Sequence, residues 1–179
     1  MAIRRIAVEE AFVTPEIMAQ WHVVLAGGNV EPGFAKMGET ILAQTPANKP
    51  LDDHLLDIGA GRIAHMDSLG IDMHILSLTS PGVQPLPTQE AKEIVTRGND
   101  YLQEAVARHP TRFVGMTSVA PQDPEWSAKE IHRGAEMGFK GVMVNSHTQG
   151  EYLDDPKCDP IFKALEATGQ PLYIHPQTP

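Results

Sequence analysis

Five short apolar runs recur along the chain, at positions 6–8, 71–78, 113–119, 139–144 and 171–174. Longer stretches with helical spacing separate them. The clearest spans 88–108, where Ala91, Ile94, Val95, Leu102, Ala105 and Val106 fall along one stripe and the charges lie elsewhere. Its stop is written as Arg108-His109-Pro110, since a proline just past the end cannot continue a helix. Thr14-Pro15, Asp123-Pro124 and Asp159-Pro160 each set a capping side chain before a proline, which predicts three helix starts. Gly70, Gly138 and Gly169 each stand just before an apolar run and predict helix ends. Residues 50–69 follow the same scheme less cleanly, because Gly59 and Gly61 interrupt the pattern.

The strand candidates DMHILSL and FKGVMV are apolar with little alternation, as expected of strands covered on both faces. Strands alternating with helices through short connections predict parallel βα units. Segment 27–50 (GGNVEPGFAKMGETILAQTPANKP) is rich in Gly, Pro and Asn and predicts an excursion or lid after the first strand. Five strands suit an open doubly wound sheet, or about five-eighths of a (β/α)8 barrel. No GxGxxG or GxxxxGK(S/T) loop follows the first strand, which removes the usual nucleotide-binding form of the open sheet.

Composition narrows the class. Hydrophobic residues at 41% and charged residues at 21% are globular values and exclude a disordered chain. The net charge of −9 argues against nucleic acid or an acidic membrane surface as partner. Cys158 is the single cysteine, so neither an internal disulfide nor a cysteine-rich zinc site is available, and a reducing cytoplasm is the expected compartment. Neither a signal peptide at MAIRRIAVEEAF nor an apolar run of about 18 residues is present, so no membrane span is expected.

In either α/β architecture the working face lies at the carboxyl ends of the strands. The sequence places Glu9-Glu10, Leu78-Thr79-Ser80, Thr117-Ser118, Asn145-Ser146-His147 and His175 there. A carboxylate with neutral imidazoles suits Zn²⁺ or Mn²⁺. The same residues also read as solvated strand ends, with His175 as a loop hydrogen-bond donor. No GxSxG elbow exists to build a nucleophilic triad. His147 reads as a loop hydrogen-bonder and His74, inside a strand, as a packed polar residue. His22, His54, His65, His109 and His132 read as surface or structural side chains, and Trp21 and Trp126 as core or interface. Cys158 lacks an activating base, which argues against a catalytic thiol.

The blocks IAVEEAFVTPE, LTSPGVQPL, VAPQDPEWSAKEIHRGAEMGFKGVMVNSHTQGEYLDD and DPIFKALEATGQPLYIHP together resemble the metal-dependent decarboxylase branch of the amidohydrolase superfamily. The resemblance runs the whole chain. It is nearest to the members acting on 5-carboxyvanillate, with those acting on γ-resorcylate and 2,3-dihydroxybenzoate more distant. It implies an amidohydrolase-type (β/α)8 TIM barrel, of which residues 1–179 are the N-terminal part, with 27–50 as the excursion. It also implies one divalent metal, Mn²⁺ or Zn²⁺, at the carboxyl ends of the strands.

Many relatives carry Glu-x-His in the first strand, with both residues on the metal. Here the motif is Glu9-Glu10-Ala11, as in the carboxyvanillate branch, so only Glu9 carries over. His175 matches the ligand of the fifth strand, and Thr79 matches a substrate-contacting position. The family's carboxylate-clamping arginine has Lys49 as its nearest basic counterpart, and lysine lacks the bidentate fork. A proton-donating aspartate on an eighth strand is expected beyond residue 179. The implied reaction is non-oxidative decarboxylation of an ortho-hydroxylated aromatic acid, in a cytoplasmic homodimer or homotetramer. Two rivals stand beside it: metal-dependent hydrolysis of a lactone or amide, and an inactive fragment lacking the proton donor.

Overall fold

A computed structural model describes residues 3–177. Strands β1 (Ile6–Phe12), β2 (Met73–Leu78), β3 (Phe113–Gly115), β4 (Thr117–Ser118) and β5 (Val142–Asn145) form a wall. After the small antiparallel hairpin β6 (His147–Thr148) and β7 (Glu151–Tyr152), the wall ends in β8 (Leu172–His175). Its pairings are all parallel, in the order β1-β2-β3 and β4-β5-β8. β3 and β4 are two halves of one predicted run, broken at Met116. The Met116 amide donates to Leu76 O on β2 (2.9 Å), and the next amide, Thr117, donates to Gly141 O beside β5 (2.8 Å). One segment thus hands its pairing from one neighbour to the other. A doubly wound sheet reverses its strand order at a switch point. This wall never reverses, so the open-sheet alternative falls.

Helices α1 (Pro15–Gly27), α2 (Pro32–Glu39), α3 (Lys49–Leu56) and α4 (Ala60–Leu69) lie between β1 and β2. Helix α5 (Thr88–Arg108) joins β2 to β3, α6 (Pro124–Glu136) joins β4 to β5, and α7 (Asp159–Thr168) precedes β8. The caps explain the starts. Thr14 Oγ1 accepts the Ile17 amide at 3.1 Å, and the Asp123 carboxylate accepts the Trp126 amide at 3.0 Å. Gly70 and Gly169 end α4 and α7 in the left-handed conformation. Among the described residues no helix is long and apolar enough to cross a membrane.

Three expectations need correction, and the excursion gains a helix. Residues 50–69 form two helices, because the Asp57 carboxylate accepts the Gly59 amide at 2.8 Å and closes a turn that competes with helix. The third proline start opens α7 at Asp159 as expected, but Asp159 does not cap it: the cap position is Cys158, in a 3-10 turn, Pro156–Cys158, that Asp155 opens by accepting the Lys157 amide at 2.9 Å. The excursion contains a helix, α2, anchored by the buried Phe34. The second and fourth strands start two and three residues later than their apolar runs.

Two buried clusters flank the wall. Phe12, Trp21, Phe34, Leu76, Leu102 and Phe113 belong to one, and Ile131, Val142, Val144 and Ile161 to the other. Each such side chain contributes about 1.5–3 kcal/mol on leaving water. Close approach needs glycine at one point: a Cβ on Gly134 of α6 would stand 2.0 Å from Thr117 Oγ1 on β4. Trp21 satisfies its buried indole N–H on Gly82 O at 2.7 Å.

A polar network crosses the packing of α5 and α6. Asn99 donates to Ser118 O (2.8 Å) and Glu130 Oε1 (2.7 Å) and accepts the Ser118 amide (3.0 Å). Arg133 donates to the other oxygen of Glu130 at 2.9 Å, which pushes the guanidinium pKa up. Asn99→Leu strands the buried amide and carbonyl of Ser118, while Glu130 keeps Arg133, so it should cost about 1–3 kcal/mol by urea denaturation.

His74 on β2 is only 4% exposed. Burial, then the cations of Arg62, His65 and Arg112, push its pKa down to about 4. Glu10 Oε2 lies 3.4 Å from its Nδ1, yet does not reverse that direction. The folded pKa is below the unfolded value of about 6.5. The unfolded chain therefore binds the extra proton, and stability falls as pH drops through this window. The contribution approaches at most about 1.4 kcal/mol per pH unit. His74→Leu should flatten that part of the pH profile, measured by denaturant midpoints between about pH 7 and about pH 4.5.

Candidate functional site

Strand β1 does not end at Glu9-Glu10, as its polarity suggested, but runs on to Phe12. Its register explains what the two glutamates do. Ala7 pairs with His74 and Glu10 with Leu76, three steps on β1 against two on β2. Val8 and Glu9 share one slot of the ladder, which is a β-bulge. Glu9 adopts φ +60° there, a conformation that costs a residue with a side chain about 1–3 kcal/mol and clusters at functional positions. Glu10 turns to His74, while Glu9 turns to β8.

On β8, Tyr173 and His175 are two residues apart and so share a face. Both reach Glu9. The Tyr173 hydroxyl donates to Glu9 Oε2, and His175 Nε2 stands 3.3 Å from Glu9 Oε1. The bond to Glu9, then burial, pushes the Tyr173 pKa up. His175 Nδ1 is buried with no hydrogen-bond partner among the described residues. The loop after β8 is tied back to β5: the Ser146 amide donates to His175 O (2.9 Å) and the Gln177 amide to Ser146 Oγ (3.1 Å).

Behind these groups the strand ends are knitted by Gln84. Its Oε1 accepts the Asn145 amide at 2.7 Å, and its Nε2 donates to His147 O at 2.7 Å. His147 itself is buried, with Nε2 3.5 Å from Glu31 Oε2 at the start of α2. It holds loops together, as its sequence setting suggested.

A cleft of about 410 Å³ opens between α2 and the end of β8. Phe34, Met37 and Ile41 give it an apolar wall, with Lys36, Ser80 and His175 as polar members. Thr79, beside Ser80, is half-buried at the end of β2, its amide donating to Phe12 O at 2.8 Å. Lys49, on the first turn of α3, and Lys36, on α2, are equally exposed at 72%, and each pairs with an acid on its own helix, Asp53 at 2.7 Å and Glu39 at 3.1 Å. What separates Lys49 from Lys36 is the cleft: Lys49 is not among the residues that line it.

The fold therefore brings Glu9, His175, Ser80 and Lys36 to one end, with Thr79 adjoining, and leaves Lys49 on the rim of another helix. Sequence reasoning passed over Tyr173, although period-two spacing from His175 marks it. It also passed over Lys36, hidden inside a segment read as plain excursion. Cys158 is buried and its thiol pushed up by burial, consistent with an inert side chain. Among the described residues no group of three or more His, Cys, Asp or Glu side chains converges to hold a metal. The site offers two such donors, one carboxylate and one imidazole.

Known proteins share this arrangement of elements. A solved 5-carboxyvanillate decarboxylase from Novosphingobium aromaticivorans, with bound manganese and 3-methoxy-4-hydroxy-5-nitrobenzoic acid, is 51% identical. It superposes with a TM-score of 0.95 over 99% of this chain and 52% of that one. A 2,6-dihydroxybenzoate decarboxylase from Rhizobium is 31% identical, with a TM-score of 0.82 over 99% and 51% of the two chains. A γ-resorcylate decarboxylase from Polaromonas sp. is 39% identical over 72% of this chain and 42% of its own length. The chain thus spans about half the length of the relatives it matches, and its wall is part of a barrel of their type. Residues 22–179 match the amidohydrolase family model, and the chain belongs to that family.

Proposed function

We propose that this chain is the N-terminal part of a metal-dependent, non-oxidative decarboxylase acting on an ortho-hydroxylated aromatic acid such as 5-carboxyvanillate. The observation that carries the reading is the 3.3 Å approach of Glu9 Oε1 to His175 Nε2. That is the separation expected of two donors each about 2.1 Å from one shared ion. The donor chemistry fits too, since a carboxylate oxygen and an imidazole nitrogen are ligands that Mn²⁺ and Zn²⁺ both take. Glu9 and His175 would hold Mn²⁺ or Zn²⁺.

When bound there, the metal would supply Lewis-acid chemistry and a template for the substrate. The chain's own residues do the rest of the binding. The apolar wall of Phe34, Met37 and Ile41 receives the ring and excludes water, while Ser80 and Thr79 address its polar edge. Two lysines compete for the carboxylate: Lys49, indicated by resemblance, and Lys36, favoured because it lines the cleft. The acid that protonates the ring is assigned to a later strand of the whole barrel, so residues 1–179 alone are proposed to be inactive. The same reading gives a cytoplasmic homodimer or homotetramer.

In the full-length protein, Glu9→Ala and His175→Ala should each lower bound Mn²⁺ at least about 10-fold by elemental analysis, and abolish CO₂ release from 5-carboxyvanillate. Normal metal content in both variants would defeat the site. An opened lactone or amide in place of CO₂ would favour the hydrolase.

The lysines are separated by kinetics. A clamp that grips ground state and transition state alike raises KM when lost and leaves kcat nearly unchanged. Lys36→Ala should show that pattern and Lys49→Ala should not. The reverse result returns the role to Lys49.

A further inference from the structure

We propose that Tyr173 is a positioning residue that fixes which oxygen of Glu9 is presented to the metal. The inference rests on the metal-site reading above. Glu9 is poorly held by its own surroundings. It sits on a bulge at φ +60° in a strand with β2 as its one paired neighbour among the described residues, and its side chain is 36% exposed. A glutamate side chain so placed keeps much of its rotamer freedom, and that entropy opposes fixing it.

Tyr173 counters that freedom from the opposite wall. Its hydroxyl donates to Oε2 while Oε1 faces His175 Nε2, so the two carboxylate oxygens have different tasks. Oε2 is occupied by a donor and Oε1 is left with its lone pairs toward the imidazole. The phenol suits the work because only two side-chain torsions separate its hydroxyl from the strand. The spacing of Tyr173 and His175 makes the device a unit: one strand supplies a ligand and, two residues earlier, the group that orients the other ligand.

The test is Mn²⁺ titration of the full-length protein, with the free ion followed by electron paramagnetic resonance, alongside thermal unfolding of the metal-free protein. Tyr173→Phe removes the hydroxyl and keeps the ring. It should weaken Mn²⁺ binding about 10–100-fold while the metal-free unfolding midpoint stays at the parental value. Tyr173→Leu, which also removes the ring, should weaken binding no further than Tyr173→Phe. Parental Mn²⁺ affinity in Tyr173→Phe, with Glu9→Ala still losing the metal, would overturn the role of Tyr173 and leave the metal site standing. Parental affinity in Glu9→Ala as well would remove both.

Discussion

The structure turns on a contact between its first and last wall strands. β1 and β8 share no ladder, and four strand spacings separate them along the wall, roughly 19 Å if the wall were flat. A glutamate and a tyrosine cannot bridge that distance. Yet Tyr173 bonds Glu9 and His175 stands 3.3 Å from it. The wall must therefore curl until its inner faces meet. Every intervening feature serves that curl: sequential strand order, the break at Met116 where pairing changes partner, and the bulge that turns Glu9 inward.

Curvature alone would not keep the strand ends in place. Gln84 does that work on one side, where its amide bonds both the Asn145 amide and the carbonyl of His147. On the other side the Glu31–His147 pair ties the start of α2 to the hairpin after β5. The cleft thus has one wall made by the strand ends and another made by a helix strapped to them. Both straps use buried polar groups, with only Glu31 partly exposed, and these fix geometry more sharply than apolar contact does. The Lys49–Asp53 pair, exposed and one turn apart, carries little such information.

Much of the fold was legible because its signals are local. Thr14 and Asp123 cap where they were expected, Gly70 and Gly169 end helices in the left-handed conformation, and the 88–108 stripe is α5. The misreadings arose where a local signal met a competing one. Asp57 bonds Gly59 and divides a helical pattern. Phe34 finds a core for α2 within the excursion, whose Gly and Pro content masked the helix. The site was half legible. Glu9 and His175 were visible as polar ends of apolar runs, but their meeting depends on a bulge and a curved wall that no local pattern records. Tyr173 reads as an ordinary strand aromatic until Glu9 is placed opposite it.

Both proposed ligands stand on strands with a single paired neighbour among the described residues. Ile6, Val8 and Ile174, at 48%, 63% and 51% exposure, mark the same two edges. An edge strand is held by one ladder and is free to adjust, which is a poor foundation for donors that a metal requires within a few tenths of an ångström. The contact from Tyr173 to Glu9 partly answers this, because it couples the two edges directly and makes each the other's restraint. The relatives, about twice as long, have the material to close such a wall with further strands. In a closed barrel the same contact would no longer have to hold the edges together, and its remaining task would be to orient a carboxylate.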